Sequence, residues 1–303
     1  MSTILSNRVQ KVKPSATMAV SDKAKELKSQ GIQIISMGSG EPDFDTPVNI
    51  QKAAITAIGS GDTRYTPADG TAELKKAVCE KFKRENGLDY SLNEVMVSCG
   101  GKQVFYNLCQ AILNEGDEVI IPTPYWVSYP DMAILADATP VFIEAGLEQD
   151  FKITPDQLEA SITNKSKLFV LNSPSNPTGS VYSESEIKAL GEVLKKYPHV
   201  LTISDDIYEH IRWGDDDFVN IAMACPELKD RVVILNGVSK AYAMTGWRIG
   251  YAAGPETVIK AMKKIQGQST SNPSSISQAA ALEAISGDQS FISMMVEAFE
   301  RRH

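Results

Sequence analysis

The feature that most constrains the fold is a regular alternation between short β-branched runs and longer amphipathic runs. Alternation of this kind over about 200 residues is typical of an α/β fold with a mainly parallel sheet. Several of the short runs, such as 168–171, are almost continuously apolar, which indicates strands covered on both faces. Strands are predicted at Ile32–Met37, Glu94–Cys99, Glu118–Pro122, Thr139–Glu144, Lys167–Asn172, Val200–Ser204, Val232–Asn236 and Arg248–Ala252.

The amphipathic runs carry the end signals of helices. Ser183–Tyr197 begins with a Ser-x-x-Glu capping box and is followed by Pro198, which is unfavourable inside a helix. Thr71–Asn86 repeats apolar residues every fourth position, and a further helix is expected to open at Pro255.

Composition excludes several classes of function. A net charge of −8 argues against nucleic acid as a partner, because phosphate contacts need a basic face. No apolar run approaches the ~20 residues that span a bilayer, and the N-terminus lacks the pattern of a secretory signal. The four cysteines form no CxxC pair and the three histidines are scattered, so we expect free thiols, no metal and a cytoplasmic location.

The two ends of the chain differ from its middle. The first part combines a helix at Ser21–Gln30 with one strand, and the chain finishes in an uncapped helical pattern at Phe291–Arg302. We therefore predict a large domain at 47–285, with residues 1–46 and 286–303 belonging to a smaller domain. The uncapped end predicts that this second domain is truncated at the C-terminus.

Polar and glycine-rich clusters directly follow several predicted strands. In open α/β sheets ligands bind beyond the carboxyl ends of the strands, so these clusters predict a ligand site at that edge. They are Gly100-Gly101-Lys102, Asn172-Ser173-Pro174, Asp205-Asp206 and the segment from Gly237 to Lys240.

The most informative cluster runs from Ser239 to Gly250. Lys240 follows a buried strand at this edge, and Arg248 lies eight residues further on. A lone lysine is usually solvated, but one held away from water can lose its proton and attack a carbonyl group. Arginine binds two phosphate oxygens at once, and a Schiff-base lysine with a phosphate-binding arginine is what a pyridoxal-phosphate (PLP) site requires.

The sequence Ser-Lys-x-Tyr-x-Met-x-Gly-Trp-Arg-x-Gly at 239–250 resembles the PLP-lysine signature of the class I aminotransferases. Further motifs agree in order over essentially the whole chain. The resemblance implies the type I fold of PLP-dependent transferases, a mostly parallel seven-stranded sheet sandwiched by helices with a smaller second domain. It also implies that Lys240 forms the Schiff base and moves the substrate proton, while Arg248 holds the phosphate.

The resemblance extends to the clusters after two neighbouring strands. Asp205 matches the carboxylate that pairs with the pyridine nitrogen, and Tyr208 matches the tyrosine that hydrogen-bonds the cofactor phenolic oxygen. Asn176, in Asn-Pro-x-Gly, matches the amide that reaches this oxygen and the substrate α-carboxylate. Without the resemblance, the acidic pair predicts a helix cap and Asn-Pro a turn.

Gly100, Gly101 and Lys102 start a predicted helix, whose N–H groups can bind phosphate. A cation there opposes the helix dipole, so Lys102 needs another reason to be present. In the aspartate/prephenate-type subgroup that this sequence resembles, a lysine at this position binds the distal carboxylate of aspartate or glutamate. Thr17 is expected near the same carboxylate, and a surface lysine is the alternative interpretation of Lys102.

Three more residues take roles from the resemblance. Trp126 would stack on the pyridine ring, although aromatic core is the simpler interpretation of its surroundings. Gly40 would approach the substrate carboxylate, and Tyr65 would reach the phosphate of a neighbouring subunit, which implies a homodimer with shared sites. Two features depart from the family: Gly237 replaces a common serine, and no residue matches the C-terminal arginine that binds the substrate α-carboxylate.

We therefore expect a PLP-dependent aminotransferase that uses L-aspartate and 2-oxoglutarate, an amino acid and a 2-oxo acid. An aromatic or broad-specificity aminotransferase, a PLP lyase and a non-catalytic PLP-binding domain are the alternatives. The last usually follows a DNA-binding domain, for which the first segment is too short. A nucleotide-binding protein is disfavoured because no GxGxxG motif follows a strand and no P-loop is present.

Overall fold

The computed structural model describes residues 4–14, 16–35, 37–38, 40–214 and 217–303, without the side chains of residues 16 and 17. The described residues form a seven-stranded sheet in the order β1-β7-β6-β5-β4-β2-β3. The strands are β1 (Val95–Ser98), β2 (Glu118–Thr123), β3 (Thr139–Glu144), β4 (Ser166–Asn172), β5 (Leu201–Asp205), β6 (Val232–Gly237) and β7 (Gly250–Ala253).

The sheet is mainly parallel, as the alternation predicts. Strands β3, β2, β4, β5 and β6 pair in parallel, whereas β7 is antiparallel to both β6 and β1. The connection from β6 to β7 contains one short 3₁₀ turn and no α-helix. It therefore lacks the helical crossover by which parallel neighbours are usually joined, and the chain returns alongside β6 in the opposite direction.

Helices cover both faces of the sheet. They are α1 (Asn7–Lys11), α2 (Ala16–Ser29), α3 (Val48–Gly59), α4 (Ala72–Asn86), α5 (Gly101–Ile112), α6 (Ser128–Leu135), α7 (Pro155–Ser161), α8 (Glu184–Lys196), α9 (Ile221–Ala224), α10 (Glu256–Gly267), α11 (Ser275–Ser286) and α12 (Ser290–Glu300). Successive strand residues enter opposite cores: Ile120 and Phe169 pack in one apolar cluster, and Ile121 and Val170 in the other. Two-sided burial explains why the strand sequences are continuously apolar.

The residues predicted to begin three of the helices cap or precede those helices in the structure. Ser183 accepts a hydrogen bond from the Glu186 N–H, and the Glu186 carboxylate accepts one from the Ser183 N–H, which completes a capping box. Thr71 caps α4 through the Leu74 N–H. Pro255 precedes the first residue of α10.

The predicted strand at Ile32–Met37 is wrong. Its described residues are irregular, and Ile35 and Met37 are about nine-tenths exposed. No strand among the described residues lies beside this segment, so its β-branched side chains have no pleated surface to pack on. The helix before it is also longer than predicted, Ala16–Ser29 instead of Ser21–Gln30. Among the described residues, no helix is long and apolar enough to cross a membrane.

Candidate active site

A cavity of about 370 Å³ opens at the carboxyl ends of the parallel strands. Asn172 ends β4, Asp205 ends β5, and Lys240 follows β6, so neighbouring strands deliver their polar residues to one place. Nine residues predicted for the site line this cavity: Gly40, Gly101, Lys102, Trp126, Asn176, Asp205, Tyr208, Lys240 and Arg248.

Asp205 forms the floor of the cavity. It is 4% exposed, and its carboxylate accepts hydrogen bonds from the Tyr129 hydroxyl at 2.5 Å and the Ile207 N–H at 3.3 Å. Burial raises the pKa of Asp205 to about 6, although both hydrogen bonds act to lower it. The carboxyl group is therefore mostly ionised at neutral pH but short of compensating positive charge.

Lys240 lies across the cavity from this carboxylate. Its Nζ lies 5.8 Å from the centre of the Tyr208 ring and donates a hydrogen bond to the carbonyl of Gly40. Burial lowers the pKa of Lys240, the nearby Glu41 opposes this, and the Arg248 charge adds to it. Burial and the Asp205 charge raise the pKa of Tyr208 to about 12, so this phenol keeps its proton. The site thus favours a neutral amine beside a hydrogen-bond donor.

An anion cradle forms where the start of α5 meets Arg248. Gly101 and Lys102 begin the helix, and the N–H groups of a first helical turn lack intrahelical acceptors. Gly100 has φ = 92°, and a Cβ atom added there would lie 2.2 Å from Nη2 of Arg248. The guanidinium therefore packs against the glycine, next to the free end of the helix.

Lys102 and Trp126 meet on one wall of the cavity. The Lys102 Nζ lies 5.3 Å from the centre of the Trp126 ring, which itself makes an edge contact with Tyr129. Burial and the Arg248 charge lower the pKa of Lys102. A partly desolvated cation beside an aromatic face can attract a carboxylate that enters the cavity.

Packing explains the glycine that departs from the family pattern. A Cβ atom at Gly237 would lie 3.0 Å from the Cα of Gly250 and 3.0 Å from the Ile249 carbonyl, so a serine would not fit without a shift. Ser239, two residues later, lines the cavity. A hydroxyl is thus available at the same edge from a different position.

Two predicted residues do not line the cavity of their own chain, and a third is not described. Gly100 does not line the cavity, because the Arg248 guanidinium packs against it. Tyr65 is 93% exposed and does not line the cavity of its own chain. The side chain of Thr17 lies outside the described part of the chain.

Sequence reasoning missed the roles of two residues that shape the site, although it placed Asn172 at this edge of the sheet. Tyr129 hydrogen-bonds Asp205 from α6, and its hydroxyl in an apolar stretch was the available signal. Asn172 donates to the Asp205 carbonyl at 2.9 Å and accepts from the Asn176 N–H at 2.8 Å. It links Asn176 to the end of β5, a role that the repeated asparagines of 172–179 only hint at.

Comparison with known families shows which family the chain belongs to. The family model described as Aminotransferase class I and II matches residues 32–303. The chain belongs to this family. The protein is therefore an aminotransferase, an enzyme that moves an amino group between an amino acid and a 2-oxo acid.

Relatives of this aminotransferase carry more specific names. The aspartate/prephenate aminotransferase of Nitrosomonas europaea is 60% identical over 299 residues, which covers 99% of this chain and 75% of the relative. The enzyme of the same name from Cereibacter sphaeroides is 59% identical over 298 residues, with 98% and 74% covered.

Solved structures of aminotransferases agree closely with the fold. The aspartate aminotransferase of Rhizobium meliloti superposes with a TM-score of 0.96 at 49% identity, covering 99% of this chain and 75% of that one. The Thermus thermophilus aspartate aminotransferase with maleate gives a TM-score of 0.95 at 44% identity, with 98% and 78% covered. These matches confirm the predicted α/β aminotransferase fold.

Proposed function

We propose that this aminotransferase uses PLP, held covalently by Lys240, to transfer the amino group of L-aspartate to 2-oxoglutarate. The observation that carries the proposal is the shared cavity of Lys240, Asp205 and Arg248. A lysine with a lowered pKa, a buried carboxylate and an anion cradle supply the three kinds of group that PLP needs.

The residues present fit the cofactor from end to end. The N–H groups of Gly101 and Lys102, with the guanidinium of Arg248, would hold its phosphate. Asp205, held by Tyr129 and backbone, would pair with the ring nitrogen, which relieves the shortage of positive charge around this carboxylate. When bound, PLP supplies an electron-accepting ring that stabilises negative charge at the substrate α-carbon.

The remaining chemistry is proton transfer and orientation by the chain itself. Once the substrate amino group has displaced it from the cofactor, Lys240 would take the proton from the substrate α-carbon and pass it to the cofactor carbon C4′. Tyr208 and Asn176 would donate hydrogen bonds to the cofactor phenolic oxygen, and Trp126 would cover the ring. Asn172 keeps Asn176 beside β5, so orientation does not depend on the turn alone.

The proposed substrate follows from Lys102. Its ammonium group faces the cavity with no carboxylate partner among its described contacts, and a dicarboxylic amino acid would provide one. Support comes from the relatives named for aspartate and prephenate, and from the similar enzyme solved with maleate, a dicarboxylate. Gly40, Asn176 and Thr17 complete the proposed substrate contacts. Because the Trp126 ring lines the cavity, an aromatic or broad-specificity aminotransferase is the second candidate.

We further propose a homodimer in which Tyr65 enters the neighbouring site. Its side chain is 93% exposed, and Val48, Ile55 and Ile58 expose apolar surface on the same part of the chain. A reducing compartment such as the cytoplasm suits the four cysteines, which form no disulfide.

Borohydride reduction tests the proposal directly. The purified protein is incubated with PLP, reduced, digested and mapped by mass spectrometry. We expect the fixed cofactor on the peptide that contains Lys240, together with aspartate-dependent conversion of 2-oxoglutarate to glutamate before reduction. Label on another lysine, or none on a folded protein, would overturn the assignment. Label on Lys240 with conversion only of aromatic amino acids would refute the substrate alone.

A further inference from the structure

A buried polar cluster lies behind the active site. It consists of Lys81, Glu85 and Asn86 from α4, Glu209 and His210 from the segment after β5, and Asn236 from β6. Lys81 is 0% exposed, and Glu209 is 5% exposed. None of the six lines the proposed cofactor cavity, so direct contact with substrate does not account for the cluster.

Glu85, Glu209 and His210 lie close enough together to hold a metal ion. The Lys81 ammonium already contacts both carboxylates and donates to the Asn86 oxygen at 2.9 Å. Lys81 and Arg84, whose guanidinium contacts Glu85, together supply the positive charge that a metal would otherwise bring. The cluster is better described as a charge-neutralised network built around Lys81 and Glu209.

Glu209 connects three elements. Its carboxylate accepts hydrogen bonds from Lys81, from Asn86 at 3.1 Å and from Asn236 at 2.7 Å. Its N–H donates to the Asp206 carbonyl at 2.9 Å, which closes the turn that carries Tyr208. Asp205 is held by its strand pairing at the end of β5, whereas Tyr208 directly precedes Glu209 in the turn, so the position of Tyr208 depends on where this carboxylate is held.

Asn236, which donates to Glu209, lies near the end of the strand that precedes Lys240. Asn236 also accepts a hydrogen bond from the Gly237 N–H at 2.7 Å, at the end of β6. Lys240 follows three residues after Gly237. Strand pairing and the Asp206 N–H bond to the Leu235 carbonyl hold the start of this segment against β6. The hydrogen bond between Glu209 and Asn236 adds a second tie, beyond Tyr208, to the strand end that delivers Lys240.

We propose that Glu209 is a positioning residue for amino transfer, which sets Tyr208 relative to Lys240 through Asn236. The inference rests on the proposed PLP chemistry. A buried ion pair adds little stability compared with well-packed apolar side chains, because desolvation offsets its attraction. What apolar side chains cannot do is fix relative position through directional bonds, and small misplacements in a catalytic site slow the reaction.

Asn236→Ala tests the link without leaving a buried charge unpaired, since Glu209 keeps Lys81 and Asn86. We expect kcat to fall about tenfold with little change in KM. The pH midpoint of the bound-cofactor absorbance should rise by at least ~0.5 unit, because a displaced Tyr208 favours the deprotonated form less. Asn236→Ser, whose hydroxyl is too short for Glu209 but stays beside the Gly237 N–H, should shift the midpoint similarly and covers the case in which the alanine variant misfolds.

Glu85→Gln is the matched control. It removes another carboxylate that contacts Lys81 but makes no bond to Asn236, so its midpoint should match the wild type. The inference is overturned if the Asn236 variants keep the wild-type midpoint and kcat, or if Glu85→Gln shifts both equally. Failure of the wild-type protein to carry cofactor on Lys240 would instead refute the proposed function, so the two failures are distinct.

Discussion

At the scale of single residues, Asp205 shows how the proposed chemistry opposes stability. Its carboxylate is buried and receives two hydrogen bonds but no positive partner from the described chain. Buried charge without a counter-charge is unfavourable in a folded protein. A cofactor with a protonated ring nitrogen would supply that counter-charge, so the apoprotein carries strain that the ligand relieves.

Asp205→Asn is therefore expected to stabilise the apoprotein at pH 8 while it abolishes amino transfer. The folded carboxyl has a pKa of about 6 and the unfolded one about 3.9, so the native state binds the proton more tightly. The loss of folding stability caused by the ionised Asp205 therefore grows as the pH rises from about 4 to about 6, and it stays constant at higher pH. Removing it should add about 1–3 kcal/mol to the free energy of unfolding at pH 8, measured by denaturant titration.

The same substitution should bring little gain at pH 4, where the Asp205 carboxyl group is largely protonated in the folded protein. Asp22→Asn, at an exposed position, serves as the control and should change stability by less than about 0.5 kcal/mol at either pH. An equal gain at both pH values would show that ionisation of Asp205 is not the cause.

Lys102→Ala should raise KM for aspartate far more than KM for an aromatic amino acid. The ammonium group would bind only a substrate with a second carboxylate, and a lost charge-assisted hydrogen bond is worth about 1.5–3 kcal/mol, or roughly ten- to a hundredfold. Lys165→Ala removes an exposed lysine outside the cavity and should change neither constant. Steady-state kinetics with both substrates decide the matter, and parallel increases would refute the assignment of Lys102.

At the scale of elements, the proposed cofactor site depends on the first turn of α5. Gly100 adopts a left-handed conformation and leaves room for the Arg248 guanidinium, so helix start and cation act as one unit. Any side chain at this glycine would both strain the backbone and push the guanidinium away.

Gly100→Ala is expected to weaken PLP binding at least about tenfold, because the cradle loses the position of Arg248. Gly87→Ala provides the matched control: that glycine has φ = 66° at the end of α4, with open space around it. Both changes should lower stability by about 1 kcal/mol, and only the first should change the affinity measured by cofactor titration. Similar affinities in the two variants would contradict a cradle built on Gly100.

Buried strands were the easiest elements to predict, because their apolar runs and end residues have few alternative interpretations. Thr139–Glu144 was placed correctly to the residue, whereas Ile32–Met37 has a similar composition and forms no strand. Composition cannot tell whether a partner strand exists, which is decided by the tertiary fold. The same limit explains why Tyr129 was missed: its contact with Asp205 joins residues far apart in sequence.

At the scale of the whole molecule, an acidic chain places cationic side chains in its cavity. The net charge is −8, yet Lys102 and Arg248 lie close enough in the cavity for each charge to affect the other. The overall field opposes the approach of dicarboxylates, so recognition must act at short range. The glycine-rich and polar clusters after the strands predicted the edge of the sheet at which these cations lie.

Mixed dimers test whether sites are shared between subunits. Lys240→Ala and Tyr65→Ala should each lose most activity alone, and in a mixed dimer one site would carry both defects while the other is intact. Equal mixing of differently tagged chains should recover about a quarter of the wild-type specific activity in the pool. Purified mixed dimers that stay inactive would refute a role for Tyr65 across the interface, and a monomer in solution would refute the dimer.

The antiparallel direction of β7 has a consequence for how this enzyme can change. Lys240 lies after the end of β6 and Arg248 before the start of β7, so one returning loop delivers both groups to the same edge. The pairing of Gly237 with Gly250 fixes the two ends of this loop relative to each other. An insertion between 238 and 249 would change the distance between Lys240 and Arg248. Longer loops elsewhere around the cavity would leave that distance unchanged. Variation in related enzymes should therefore avoid this loop and collect at the walls of the cavity, where specificity can shift while the span between lysine and arginine is kept.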